Sequence, residues 1–315
     1  MSNSSDEPPC ITLFQPQQDL IALLTPFRFH DVPLPSSQSI SASHCAHTTA
    51  TTTISSPTFL EPYLPLSLPP LSPFPLILTP TRSAPDFPPR LFTLNHPKVA
   101  FSLVGPPYPY TEELARDFSE GKKRGTEEYF GKLGGLAQKA LDAAAGSVEV
   151  ASKRVLEEGE GKIPDEWLPD GLPFSDLRNQ ETGDWVGDLS TMRWNFEDVA
   201  DQEERERLRK DNLARKPGDP ELAWSFGFFL SPNYHGQGLM HLALSSMFDA
   251  FLRSFLRCER IHGAAMAHNV ASIRTQEKNG LVRYNTWTRE VAETRGGGTV
   301  DVAVLRWEKK PEASA

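Results

Sequence analysis

The stretch Phe226-Gly-Phe-Phe-Leu-Ser-Pro-Asn-Tyr-His-Gly-Gln-Gly-Leu-Met240 constrains the fold more than any other part of the chain. It reads as an apolar strand, a Pro turn, a tyrosine, and then glycines at 236 and 238 that open an apolar helix from Leu239 to Phe255. The first turn of such a helix leaves backbone N–H groups without intrahelical partners, at the positive end of the helix dipole. Glycine lets the backbone turn sharply and approach an anion with no side chain in the way. The turn is therefore a socket for a phosphate or pyrophosphate. Neither G-x-x-x-x-G-K-[ST] nor a G-x-G-x-x-G after a strand is present, which excludes the common NTPase and dinucleotide loops. His235-Gly-Gln-Gly is also similar to the oxyanion turn of lipases, but the G-x-S-x-G elbow that this reading needs is missing.

Composition shifts sharply along the 315 residues. The first 90 contain no glycine and no lysine yet hold 17 of the 28 prolines, and between Asp31 and Arg82 the only charged residue is Glu61. A segment that is Ser/Thr/Ala-rich over 36–58 and Pro/Leu-rich over 57–80 has little with which to build a core of its own. Residues 1–70 are accordingly expected to be disordered or loosely attached, with a Pro-rich docking segment or a gene-model artefact as other readings. The apolar run from Tyr63 to Pro80 carries six prolines, so no membrane span is expected. Neither a secretory signal nor a presequence is evident at the N-terminus. Cys10, Cys45 and Cys258 have no metal-ligand spacing and fit a reducing compartment, so no metal is expected and the location expected is cytoplasm or nucleus. A net charge of −9 with no basic stripe argues against nucleic acid as a partner, and a mildly acidic field suits a cationic amine.

The folded part is expected to begin near Leu76–Thr79, a first strand. Asp86–Leu94 reads as a helix weakened by prolines, and Val99–Leu103 as extended. Thr111 then caps a helix with an acidic first turn. Residues 119–170 read as an insertion: Glu127–Glu157 is helical in composition, broken at Gly146, and its irregular apolar spacing fits a partly exposed helical lid. Pro173–Glu197 reads as a hairpin turning at 181–184, and Asp201–Lys216 as a solvated charge run. Ile261–Met266 is a strand candidate, and Asn269-Val-Ala-Ser272 leads a helix that Gly280 ends. Tyr284–Glu290 and Thr299–Trp307, joined by glycines 296–298, read as a closing hairpin.

Taken in order, these features resemble the Gcn5-related N-acetyltransferase (GNAT) superfamily, closest to the ribosomal-protein-N-terminus (RimJ/RimL-like) branch and its small-amine relatives. The family's donor loop, [Arg/Gln]-x-x-Gly-x-[Gly/Ala], corresponds to His235-Gly236-Gln237-Gly238-Leu239-Met240, where Gly238 matches strictly and His235 and Met240 depart from the pattern. Asn269-x-x-Ser272, Lys278-Asn-Gly-Leu281, Val186-Gly187 and the approach Asn95-His-Pro … Pro107-Tyr-Pro-Tyr-Thr-Glu-Glu fit the same family. The resemblance implies an α/β domain over about 75–310: a mixed, mostly antiparallel sheet flanked by helices and splayed beside the acetyl-CoA strand. It also implies that the insertion at 119–170 shapes acceptor choice.

In that reading acetyl-CoA is a co-substrate. The amides of Gly236, Gln237, Gly238, Leu239 and Met240, with His235 opening the loop, would take its pyrophosphate. Phe228, Phe229 and Leu230 would offer strand backbone to its pantetheine arm, and Asn269 would either bond that arm or cap the next helix. The attacking amine must be neutral: N-terminal amines titrate near ~7.7–8 and lysine near ~10.4. Base candidates are Ser225, at the strand position where many relatives carry Glu, Glu221 acting through water, and His268. Ser272 is the candidate to protonate the leaving thiolate, and a mechanism resting on approximation alone stays open. Two other readings remain: a catalytically silent acyl-CoA-binding or regulatory module, and a scaffold whose working part is the N-terminal segment.

Overall fold

The computed structural model describes residues 11, 13–32, 59–66, 73–103 and 105–309. Its strands are β1 (Arg28–Val32), β2 (Phe59–Pro65), β3 (Leu76–Thr79), β4 (Asp176–Asn179), β5 (Trp185–Arg193), β6 (Ala223–Leu230), β7 (Arg260–Met266), β8 (Val282–Glu290) and β9 (Thr299–Glu308). They form one sheet in the order β1-β2-β3-β4-β5-β6-β7-β9-β8. All neighbours are antiparallel except β6 and β7. The helices are α1 (Gln15–Leu24), α2 (Ser83–Asn95), α3 (Pro97–Ala100), α4 (Glu112–Ala143), α5 (Val148–Glu158), α6 (Gln202–Ala214), α7 (Leu239–Ser246) and α8 (Val270–Lys278), and α7 continues as a π-helix over Met247–Phe255. A mostly antiparallel sheet flanked by helices is the architecture expected. No helix among the described residues is long and apolar enough to cross a membrane.

Both faces of the sheet are covered. On one, Leu177, Leu189, Trp224, Phe226 and Ile261 pack into the main core with Leu244, Phe248 and Phe251. On the other, Phe229 meets a smaller cluster of Leu94, Val99, Tyr110 and Ala115 from α2 to α4. This is the period of two at work: Ser225, Gly227 and Phe229 face one way along β6, Phe226 and Phe228 the other.

Three expectations need correction. The folded part starts well before Leu76: α1, β1 and β2 precede it, Leu20, Ile21 and Phe27 are fully buried, and β2 pairs with β3. The ring of Phe27 meets those of Phe130, Phe174 and Phe255 edge-on at centroid distances of 5.3, 5.6 and 5.9 Å. The Gln17 side-chain amide donates to the Gly134 carbonyl at 3.1 Å, tying α1 to α4. A short apolar helix is diluted when composition is averaged over seventy residues, which is why it escaped notice; residues 33–58, with their Ser/Thr-rich run, lie outside the described residues. Second, the segment 119–170 is not a lid: Phe130, Leu133, Ala137 and Leu141 of α4 and Ala151 and Val155 of α5 belong to the main core. Third, Val99 lies in α3 rather than in an extended run, because Pro97 suits a helix start and the His96 imidazole accepts from the Lys98 N–H at 3.3 Å.

Other local readings hold. Thr111 Oγ accepts from the Leu114 N–H at 3.3 Å and Glu112 and Glu113 occupy the first turn of α4. α2 forms despite Pro88 and Pro89, since the Asp86 carboxylate reaches back to the Arg82 N–H at 2.6 Å and closes its first turn. The charge run is the solvated helix α6, capped by Asp201 and laced with exposed ion pairs such as Arg207 with Glu204.

Candidate functional site

β6 and β7 hydrogen-bond only where Ala223–Ser225 run beside Arg260–His262. Past that point they separate, while β6 stays paired with β5 as far as Leu230. The β7-facing edge of β6 from Phe226 onward is therefore an open strand edge, and a cavity of about 1240 Å³ fills the gap. Its walls include residues 225–230 of β6, Ala264–Met266 of β7, the turn at 234–240, and residues of α2 to α4 and α8.

The glycine turn closes one end of that cavity. Gly236 and Gly238 have φ of +76° and +75°, which L side chains rarely adopt, and a methyl built on either meets no atom within 4 Å. Leu239, Met240 and His241 form the first turn of α7, so their N–H groups have no intrahelical acceptor. The turn is pinned from behind: His235 Nε2 lies 3.0 Å from the Leu230 carbonyl oxygen, and the Gln237 amide donates to the Asn233 carbonyl at 3.1 Å. These two side chains brace the loop, and His235, Gly236, Gly238, Leu239 and Met240 line the cavity.

Residues 179–282 match the family model described as acetyltransferase (GNAT) domain. That match spans the sheet from the end of β4 to the start of β8 and includes the parting of β6 from β7. Solved structures similar to it include RimL, a ribosomal L7/L12 α-N-protein acetyltransferase in complex with coenzyme A, at 15% identity and TM-score 0.44 over 76% of this chain and 96% of that one. The microcin C7 self-immunity acetyltransferase MccE, in complex with acetyl-CoA and AMP, is similar at 12% identity and TM-score 0.42 over 76% and 94%. The ribosomal-protein-S5-alanine acetyltransferase of Vibrio fischeri is similar at 15% identity and TM-score 0.32 over 52% and 73%. No curated protein matches the sequence.

The residues singled out from sequence divide into those around the cleft and those away from it. Phe228, Phe229 and Leu230 lie on the open edge, and Ser225 sits at the point where the strands part. Ser272 faces the cavity from α8, its Oγ accepting from Gln276 Nε2 at 3.3 Å. Asn269 also lines the cavity, but its side chain is already engaged: Oδ1 accepts from the Ser272 N–H at 3.1 Å and Nδ2 donates to the Ser102 carbonyl at 3.2 Å. Capping is therefore the role its geometry displays.

Glu221 and His268 are not brought to the site. Glu221 precedes β6 at the end remote from the splay and forms an exposed 2.8 Å ion pair with Arg260. Four extended residues separate it from Ser225, roughly 13 Å of strand. His268 is exposed, outside the cavity wall, with Nε2 3.3 Å from the Phe101 carbonyl oxygen, so it fastens the loop after α3.

Several cavity residues escaped the sequence reading. Arg274 and Lys278 stand one turn apart on α8 and line the cavity, putting two cations on the wall it shares with the glycine turn. The i, i+4 spacing was the available signal. Arg295, from the connection between β8 and β9, reaches across and donates to the carbonyls of Ala100, Leu103 and Pro106, clamping a segment of cavity wall. Nothing local in the sequence announces that contact.

A layer of buried charge lies beneath α2. Arg90 is paired with Asp176 and bonds Ser119 Oγ at 3.1 Å, and Arg178 is paired with Asp86. Burial raises Asp86, up to about 7, whereas Arg90 and Arg178 overcome burial and hold Asp176 below the usual carboxylate range. Asp188, on β5, also lines the cavity. Further along the same face, His262 stacks on Trp194 with centroids 5.2 Å apart, and burial pushes it down to about 4. The Tyr284 hydroxyl donates to Asp198 at 2.8 Å, so the His262 Nδ1 3.3 Å from that hydroxyl is the protonated nitrogen.

Proposed function

We propose that the chain is an N-acetyltransferase that moves the acetyl group of acetyl-CoA to a primary amine, either a protein N-terminus or a small amine. One observation carries this reading: the open edge of β6 leads, through a short 3-10 turn at Pro232–Tyr234, to a glycine turn and a helix start that line the same cavity, where a side chain on Gly236 or Gly238 would meet open space. The residues present fit the co-substrate. The backbone of Phe228–Leu230 offers an extended amide chain the partner that β7 does not supply. The N–H groups at 236–241, with Arg274 and Lys278 alongside, suit the diphosphate and the third phosphate.

When bound there, acetyl-CoA supplies an activated thioester carbonyl beside Ser225 and Ser272. The Ser272 hydroxyl keeps its own proton, since it accepts rather than donates within the chain, and can pass it to a departing thiolate. The N-terminal turns of α4 (Leu114, Asp117, Phe118) and the segment after α3 border the opposite part of the cavity, where an amine would enter. The alternative of a silent acyl-CoA binder draws on Ser225 standing where relatives carry Glu. A thiol-release screen of peptides, polyamines and other amines with the purified full chain separates the two. Release with at least one amine, abolished in Gly238→Asp, supports the transferase; tight acetyl-CoA binding without release across the panel supports the silent module.

A further inference from the structure

We infer that Asp188 is the carboxylate that receives the acceptor's ammonium group and takes its proton, so that the acceptor end of the cavity selects alkylamines that are cationic in solution. The inference rests on the transferase reading and adds the missing base. Among the described residues, three carboxylates line the cavity: Asp117, Glu197 and Asp188. Only Asp188, 4% exposed, is buried. It sits on β5 opposite Phe229, one strand from the cleft, ~5 Å in strand spacing.

Phe229 stands directly across from Asp188, and beside it Gly227 puts no side chain on the diagonal from Asp188 toward the parting strands. Asp188, Ser190 and Met192 share one face of β5, and Gly227 is the β6 partner of Ser190. A methyl on Gly227 would stand 3.4 Å from Met192 Cε and 3.6 Å from Ser190 Oγ, so the absence of a side chain leaves the floor between Asp188 and the parting strands low. Any longer side chain there would rise as a wall across it.

The charge around Asp188 is unbalanced in the right sense. Arg90 pairs with Asp176 and Arg178 with Asp86, so neither guanidinium is committed to Asp188. Its own partner is neutral: Ser175 Oγ donates to Oδ2 at 2.8 Å. The groups that act on it are Lys122, Asp176, Arg90 and Ser175, and burial, the largest influence, raises its pKa. A buried carboxylate on the cavity wall whose hydrogen-bond partner is a neutral hydroxyl can attract an ammonium and accept a proton from it.

The step balances without another reactant. The ammonium gives one proton to Asp188. The freed nitrogen lone pair forms the C–N bond to the acetyl carbonyl carbon, and the C–S bond breaks with its electron pair going to sulfur. The second nitrogen proton goes to the thiolate, and Asp188 returns its proton to water.

The test compares Asp188→Asn, nearly isosteric, with the wild-type chain on two acceptors of similar size. One is a primary alkylamine, cationic near neutral pH; the other is an acyl hydrazide, whose terminal nitrogen is already neutral. The expected result is a fall in kcat/KM of about 10²- to 10⁴-fold for the alkylamine, a change within about threefold for the hydrazide, and unchanged acetyl-CoA affinity by calorimetry. In the variant the acid limb of the alkylamine pH profile should move up toward the amine's own pKa, since only the neutral amine can then react. Equal losses on both acceptors would assign Asp188 a structural role and overturn the inference, as would no loss on either. If the wild-type chain binds no acetyl-CoA, the transferase reading itself fails; if it binds and acetylates while Asp188→Asn is unaffected, only the assignment of Asp188 fails.

Discussion

Gly238 holds φ of +75° at the residue that caps α7, where a side chain would be strained and would stand before the amides of the turn. Gly238→Ala should weaken acetyl-CoA binding through strain of about 1–2 kcal/mol, whereas Gly238→Asp adds a fixed negative charge at an anion socket and should abolish it. Titration calorimetry on both variants checks this, and equal affinities for the two would remove the electrostatic part of the explanation. His262 gives a second prediction at this scale. It titrates near about 4 when folded against 6.5 as a free side chain, so between those values the unfolded chain binds a proton that the folded one refuses. Stability from this group is complete above ~6.5 and lost as pH falls toward 4. Asp86 works in the opposite sense: raised from 3.8 to about 7, it holds a proton when folded, and its contribution grows as pH falls across that range. His262→Gln removes the first slope and leaves the second. The melting temperature of the variant minus that of the wild-type chain should therefore increase as pH is lowered from 7 to 5; a constant difference would contradict the buried neutral imidazole.

Among elements, the wall segment after α3 is the one whose order is borrowed from elsewhere. Arg295 grips three of its carbonyls, Asn269 a fourth at Ser102 and His268 a fifth at Phe101. Replacing Arg295 with Ala removes charge-assisted hydrogen bonds worth about 1.5–3 kcal/mol each in well-formed cases. It should speed amide exchange in residues 97–107 and raise the acceptor KM about tenfold, leaving acetyl-CoA affinity unchanged. Exchange rates equal to wild type would show that the segment holds itself. The same contrast between local and borrowed order explains what could be read in advance. β6, its turn and α7 were legible because each is written in adjacent residues, and so were the Thr111 cap and the closing hairpin of β8 and β9. Asp188 and Arg295 were not, since their place depends on which strand lies beside which. Glu221 was misjudged for a related reason: its distance from Ser225 was legible, but the end of the strand at which the sheet parts was not.

At the scale of the whole molecule, the N-terminal elements are part of the same core as the central sheet. Phe27, wholly buried among the rings of Phe130, Phe174, Phe251 and Phe255, joins α1 and β1 to α4 and the π-helix. Phe27→Ala should cost about 3–5 kcal/mol of stability, measured as a shift in denaturant midpoint at unchanged slope; a cost below about 1 kcal/mol would mean the N-terminal layer is loosely docked. It also follows that deleting 119–170 cannot test acceptor choice, because α4 and α5 supply core side chains, and that substitutions at Leu114 and Phe118 are the usable probes. Composition concealed this layer because a ten-residue helix and two short strands are embedded in Pro- and Ser-rich sequence.

The central claim is that the parting of β6 from β7, with the turn that follows, is the acetyl-CoA site. Amide hydrogen exchange with and without acetyl-CoA measures it residue by residue. The account predicts new protection at residues 226–230 and 236–241, with α6 and the β1–β2 edge unchanged. Binding that leaves 226–241 unprotected while slowing exchange elsewhere would contradict it.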